Sequence, residues 1–134
     1  MQTRAVKLIG IALVVYIGFG LCAHLAQPTY GRCESFTKDL NGGEKIFHGA
    51  MYDIKLCGAD IKNGTKIRLQ VFGRSGDLLA ERYFSYYVNS ATERDLTEGV
   101  DSIIYFDSAR ESPMQSISIP PTKWDWIRAR LPLF

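Results

Sequence analysis

Few side chains in this sequence have the type and spacing for covalent or proton-transfer chemistry. Of its two histidines, His24 lies in an apolar N-terminal run, so acid–base work in the remainder would fall to His48. The neighbours of His48, IFHGAM, offer no hydroxyl or thiol nucleophile, and a histidine so placed commonly occupies a strand with one ring nitrogen hydrogen-bonded. Carboxylates for glycoside hydrolysis could come from Asp53, Asp101, Asp107 or Glu111. That chemistry needs two of them at a defined separation, which the spacing does not supply, and the acids of a neutral domain chiefly make a solvated surface. GRSGD at 73–77 lacks the lysine and following helix of a phosphate-cradling loop and reads as a hairpin turn. A small periplasmic hydrolase is therefore the weakest of the functional readings; no enzyme activity and no cofactor are expected.

Cysteine usage is more informative. Cys22 lies inside the apolar run, which leaves Cys33 and Cys57 as one pair in the remainder. A zinc centre wants three or four ligands at short spacing, so no metal site is expected. One disulfide is the simple inference, and it belongs to an oxidising compartment. Closing a loop of that size contributes about 3 kcal/mol.

The N-terminus agrees with export. Arg4 and Lys7 precede an uncharged run, LIGIALVVYIGFGLCA at 8–23, the charged start and apolar middle of an export signal. The run continues through Ala26, which is long for a cleaved signal and short and glycine-rich for a membrane span. Three fates stay open: cleavage, with the small residues Thr29 and Gly31 at the minus-three and minus-one positions, or Leu21 and Ala23 as a poorer second choice; retention as an anchor in the inner membrane; or lipid attachment at Cys22. Each sends the following residues across the membrane. Residues 1–31 are thus a signal peptide or signal anchor, and 32–134 an exported domain. Arg4 and Lys7 also account for the excess of 16 basic over 14 acidic residues, so the domain is neutral and no nucleic-acid partner is expected.

Past the leader, QPTYGRCESFTKDLNGGEK is polar and reads as a loop ending in a turn at Asn41-Gly42-Gly43. In KIFHGAMYDIKLCG, Tyr52, Ile54 and Leu56 alternate with charged residues as in a half-buried strand, with Gly49 a bulge or bend inside it. Asn63-Gly64-Thr65 matches a glycosylation acceptor but reads as an ordinary turn. TKIRLQVFG then puts Ile67, Leu69 and Val71 on one side, and after GRSGD the strand LLAERYFSYYV puts Ala80, Phe84, Tyr86 and Val88 on one side. A hairpin over 66–88 follows. NSATERDLTEGVD is a connection, and SIIYFD and QSISIP are two further short strands. The fold class is mainly β: a small antiparallel sheet, sandwich or open barrel with a short C-terminal helix, preceded by an N-terminal apolar helix.

That last helix follows Pro120-Pro121. Thr122 and Asp125 have the spacing of a capping box, and Trp124, Ile127 and Leu131 form one apolar stripe that should seat on the core before Pro132 stops the helix. Trp126, Arg128 and Arg130 point elsewhere, as a second-choice partner surface. Tyr83 and Tyr87 share a strand face and are the next candidates, with cross-strand aromatic packing the simpler role.

The motifs IRLQVFGRSGDLLAERYF, IIYFD and the ending PPTKWDWIRARLP resemble those of small uncharacterised exported proteins of Gram-negative bacteria, over a stretch from about Cys33 to the C-terminus. The resemblance implies an address in the periplasm, soluble or anchored, and brings no known activity or catalytic residue. Exported proteins of this general type include immunity proteins and inhibitors of secreted hydrolases. The functional expectation is a non-enzymatic binding module that occupies a partner protein, with an anchored envelope structural or assembly factor as the alternative. Thiol labelling of the denatured, unreduced protein is expected to find Cys33 and Cys57 unreactive; labelling of both would remove the bridge and the compartment inferred from it.

Overall fold

The long apolar run forms a single helix, α1 (Gln2–Ala26), in a computed structural model that describes residues 2–87 and 95–131. Its 25 residues extend about 37 Å at 1.5 Å per residue, and Thr3–Ala26 is long and apolar enough to cross a membrane. Residues Pro28–Arg130 form a compact unit of their own.

In that unit the chain runs α2 (Cys33–Asp39), β1 (Gly43–Phe47), β2 (Ala50–Ile61), β3 (Gly64–Phe72), β4 (Leu78–Tyr87), β5 (Thr97–Glu98), β6 (Ser102–Phe106), β7 (Met114–Ser118) and α3 (Lys123–Arg128). Two antiparallel sheets result, one ordered β1-β2-β3-β4 and the other β5-β6-β7. The alternation read from the sequence selects the core: Tyr52, Ile54 and Leu56 of β2, Ile67, Leu69 and Val71 of β3, and Ala80, Phe84 and Tyr86 of β4 are buried. Ile103, Tyr105 and Ile117 of the second sheet, and Ile119 just beyond it, close the same cluster, with the Phe84 and Tyr105 rings 4.8 Å apart. Asp107 joins the sheets: its buried carboxylate accepts the N–H groups of Ser85 and Ala109, while Ser108 N–H donates to Ser85 C=O. It is thereby committed to structure.

Three expectations need correcting. The stretch around His48 is not one strand bent at Gly49 but a hairpin: Phe47 pairs with Ala50, and both residues between them have positive φ, 49° at His48 and 79° at Gly49. That is the type I′ geometry, which matches the twist of the flanking strands and puts His48 in a turn rather than a strand. The leading loop contains a helix, α2, although no residue of it is fully buried. Glu34 in its first turn and Lys38 in its last suit the helix dipole, and Phe36 packs against the core. The connection after β4 contains the two-residue strand β5, which pairs with β6; Val88, the last residue of the expected hairpin, lies outside the described residues.

The placement of α2 follows from a backbone requirement. β2 has 12 residues and β1 only five, so the edge of β2 beyond Ile54 would be left bare. Leu56 is buried there, and its two backbone groups are taken by one side chain: Thr37 Oγ1 accepts the Leu56 N–H (2.9 Å) and donates to the Leu56 C=O (3.2 Å). At Gly58 the same edge exchanges two hydrogen bonds with Gly31, of 2.8 and 3.0 Å. Any Cβ on Gly58 would lie 2.2 Å from the Phe36 ring, so glycine is required where the helix crosses. The Cys33–Cys57 disulfide ties the start of α2 to the neighbouring residue of β2. Residues 28–31 thus belong to the folded unit, and cleavage after Gly31 would remove the partner of Gly58.

Thr37→Val, which keeps the shape and removes the hydroxyl, is expected to leave the Leu56 groups unpaired and cost about 2 to 3 kcal/mol, while Thr37→Ser loses much less. Equal stability of the two in denaturant titration would show that water or a shifted backbone satisfies this edge.

Candidate functional site

The C-terminal helix is built as the capping box required. Thr122 is the N-cap; its hydroxyl accepts the Asp125 N–H, and its own N–H donates to Asp125 Oδ2 at 2.8 Å. The face that turns inward is not the expected one. Asp125 is buried, with 7% exposure, and its other carboxylate oxygen takes the guanidinium of Arg82. Arg82 belongs to the inward-facing series 80, 82, 84, 86 of β4, so a cation in the core row is matched by an anion from α3. Burial by itself would raise the Asp125 carboxyl, but the hydrogen bonds from Arg82 and from the Thr122 N–H and hydroxyl outweigh it and hold the group below the ordinary carboxylate range.

Seating Asp125 directs the apolar stripe outward. Trp124 is 70% exposed and Ile127 37%, so the expectation that Trp124 plugs the core is overturned. The inward stripe is Asp125 with the half-buried Ala129 one turn later, the i, i+4 spacing of a helix face. Pro132 lies outside the described residues, and the helix already ends at Arg128. Trp126 is 46% exposed; the Arg130 guanidinium stacks 3.8 Å from its ring centroid and donates to Leu78 C=O (2.9 Å) and Trp126 C=O (3.1 Å). Arg128 is exposed as well, on the other side of the helix. Of the three C-terminal residues expected to meet a partner, Trp126 and Arg130 are therefore brought together, while Arg128 shares the other flank of α3 with Trp124, which the sequence pattern had assigned to the core.

Tyr83 and Tyr87 are not part of it. β4 spans about 16 Å from Arg82, where Asp125 docks, to Tyr87 at its far end, and Tyr83 stands on the opposite face of the strand from Arg82. Tyr83 is half-buried in a network absent from the sequence reading: its hydroxyl donates to Glu81 at 2.7 Å, Gln70 donates to the other Glu81 oxygen at 2.7 Å, and the Tyr30 ring lies 5.6 Å away. Burial and Glu81 push the Tyr83 hydroxyl far above its ordinary range. Arg68 lies over Tyr30 and reaches Cys57 Sγ at 3.7 Å. Alternation and the hairpin register could have placed Arg68, Gln70, Glu81 and Tyr83 on one face. Tyr30 carries no such signal, because it arrives from the segment before α2. Tyr87 is 38% exposed at the strand end.

His48 pairs with Asp101 on the surface. Among the described residues, no group of three or more His, Cys, Asp or Glu side chains is placed to hold a metal ion. No protein-family model, curated protein or solved structure matches the chain.

The corrected burial reverses the expected order of the tail variants. Trp124→Ala is expected to change stability by no more than about 0.5 kcal/mol. Asp125→Ala strands the buried Arg82 charge and removes the cap, costing about 3 to 5 kcal/mol. Asp125 has a depressed folded pKa, so its stabilisation is complete above the unfolded value of about 4 and is lost as pH falls toward the lower folded value. Asp125→Asn should accordingly show a shallower loss of stability below about pH 4 than the parent chain. Denaturation followed by circular dichroism across pH checks all three, and an unchanged acid limb would remove the role given to the pair.

Proposed function

We propose that the chain is an exported, non-enzymatic binding module of the periplasm that occupies a partner protein through its C-terminal ridge, as an immunity protein or inhibitor does. The observation that carries this reading is the exposure of Trp124 and Trp126 on either side of the buried Asp125. Tryptophan and arginine are the residues most enriched at binding hot spots, and this ridge presents both. Its backbone is already fixed by the capping box and the Arg82 pair, and Trp126 by Arg130, so little conformational freedom is left to lose on binding. The disulfide and the N-terminal apolar helix support an oxidising compartment reached by export.

A second reading, an envelope structural or assembly factor held in the inner membrane, is favoured by one observation. Helix α1 is long enough to span, and the folded unit starts at Pro28, directly after it. An intact mass that retains the leader would support this tether.

The ridge is tested in cells by a photo-crosslinking amino acid at position 126, with Ser116 on β7 as the control position. A discrete protein adduct is expected from 126 alone. The adduct partner, once purified, should bind the Trp126→Ala chain about 2 kcal/mol more weakly, roughly 30-fold, with the melting temperature shifted by no more than a few degrees. The same adducts from both positions, or none from 126, would sink this use of the ridge.

A further inference from the structure

On the outer face of the four-stranded sheet, a groove of about 320 Å³ is lined by Glu44, Met51, Asp53, Lys55, Phe72 and Arg74. None of these residues belongs to the ridge or to the Tyr30 network. Strand register sets their order. Glu44 of β1 stands opposite Asp53 of β2, which stands opposite Phe72 of β3, so two carboxylates and a ring form a row across strands about 4.8 Å apart. Like charges directly opposite each other destabilise a sheet, and among the described residues neither carboxylate forms an ion pair.

The cations of the groove are also left over. Lys55 follows Asp53 by two residues on the same face, yet its ammonium lies 5.3 Å from the Phe72 centroid rather than on a carboxylate. Arg74 is exposed in the turn after Phe72 and has no ion pair either. The groove therefore offers two unpaired anions, two unpaired cations and an apolar floor of Phe72 and Met51. A ligand of one charge would meet repulsion from half of this lining; its complement carries both signs a few ångströms apart, beside an apolar body. The volume is at the small end of small-molecule sites and suits one amino acid.

We propose that this groove binds a free α-amino acid with an apolar side chain, its ammonium held by Glu44 and Asp53, its carboxylate by Lys55 and Arg74, and its side chain on Phe72 and Met51. The site is independent of the partner ridge. The probe is leucine, titrated into the full-length chain in detergent and read by backbone-amide NMR. Saturable shifts are expected at Asp53, Phe72 and Gly76 with a Kd of about 1 mM or tighter. Leucinamide, which lacks the anion, and N-acetylleucine, which lacks the cation, should each bind at least about ten-fold more weakly, as should the Glu44→Gln/Asp53→Asn and Arg74→Ala chains for leucine. Absence of saturable shifts with leucine overturns the proposal. So does leucinamide binding as tightly as leucine, which would make the groove a seat for a partner's cationic side chain. The ligand series uses the parent chain, so the conclusion stands or falls without the variants.

Discussion

A strand that outlasts its neighbour leaves backbone donors and acceptors with nothing to bind, and β2 is such a strand. Its first residues pair with β1, but Leu56 and Gly58 lie beyond the reach of that ladder in a buried position. An unpaired buried peptide group costs on the order of 1 to 3 kcal/mol. Thr37 and Gly31 remove that penalty at successive edge positions, and much of the N-terminal part of the domain follows from their doing so. Thr37 has to be presented by a helix, the helix has to cross at a glycine, and the disulfide fixes where it starts. An edge covered in this way is also closed to strand addition by other chains.

The opposite side of the sheet meets the same kind of demand with charge. Placing Arg82 in the inward series of β4 obliges the fold to bring an anion to it, and Asp125 does so while also completing a helix cap. A buried ion pair is weak grounds for stability in itself, because desolvation offsets much of the attraction. Its effect here is positional. One carboxylate satisfies Arg82 and Thr122 together, so the orientation of α3 is decided and its tryptophans have no core left to enter. Helix packing and tryptophan exposure are coupled through that residue: whatever fixes Asp125 inward fixes Trp124 and Trp126 outward.

The domain presents surfaces of different chemistry. The ridge is aromatic and cationic and stands on α3; the groove on the outer sheet face is mixed in sign and shaped by cross-strand register. Between β3 and β4, on that same sheet face, the Tyr83, Glu81 and Gln70 cluster is largely satisfied internally, which suits it to holding the N-terminal segment through Tyr30. Tyr83 is thereby accounted for by packing, whereas the ridge and the groove retain groups whose interactions within the chain are incomplete.

Much of this protein was legible from local sequence. Period-two alternation named the buried rows of β2, β3 and β4, GRSGD marked the turn between β3 and β4, and the spacing of Thr122 and Asp125 announced the cap, because each of these depends on residues close in the chain. The apolar leader and the single cysteine pair carried the export reading for the same reason. What the local pattern could not decide was which face of α3 turns inward. Trp124, Ile127 and Leu131 form a good apolar stripe, yet the deciding contact is with Arg82, 43 residues away. Nor could it show that the seven residues after Arg32 would become a helix, since the demand they meet is the bare edge of β2 at Leu56, 19 residues from Thr37. Sequence period reports how one element divides between water and core. Tertiary structure alone decides which polar groups must be satisfied inside, and that requirement overrides a hydrophobic stripe because an unpaired buried charge costs more than an exposed tryptophan.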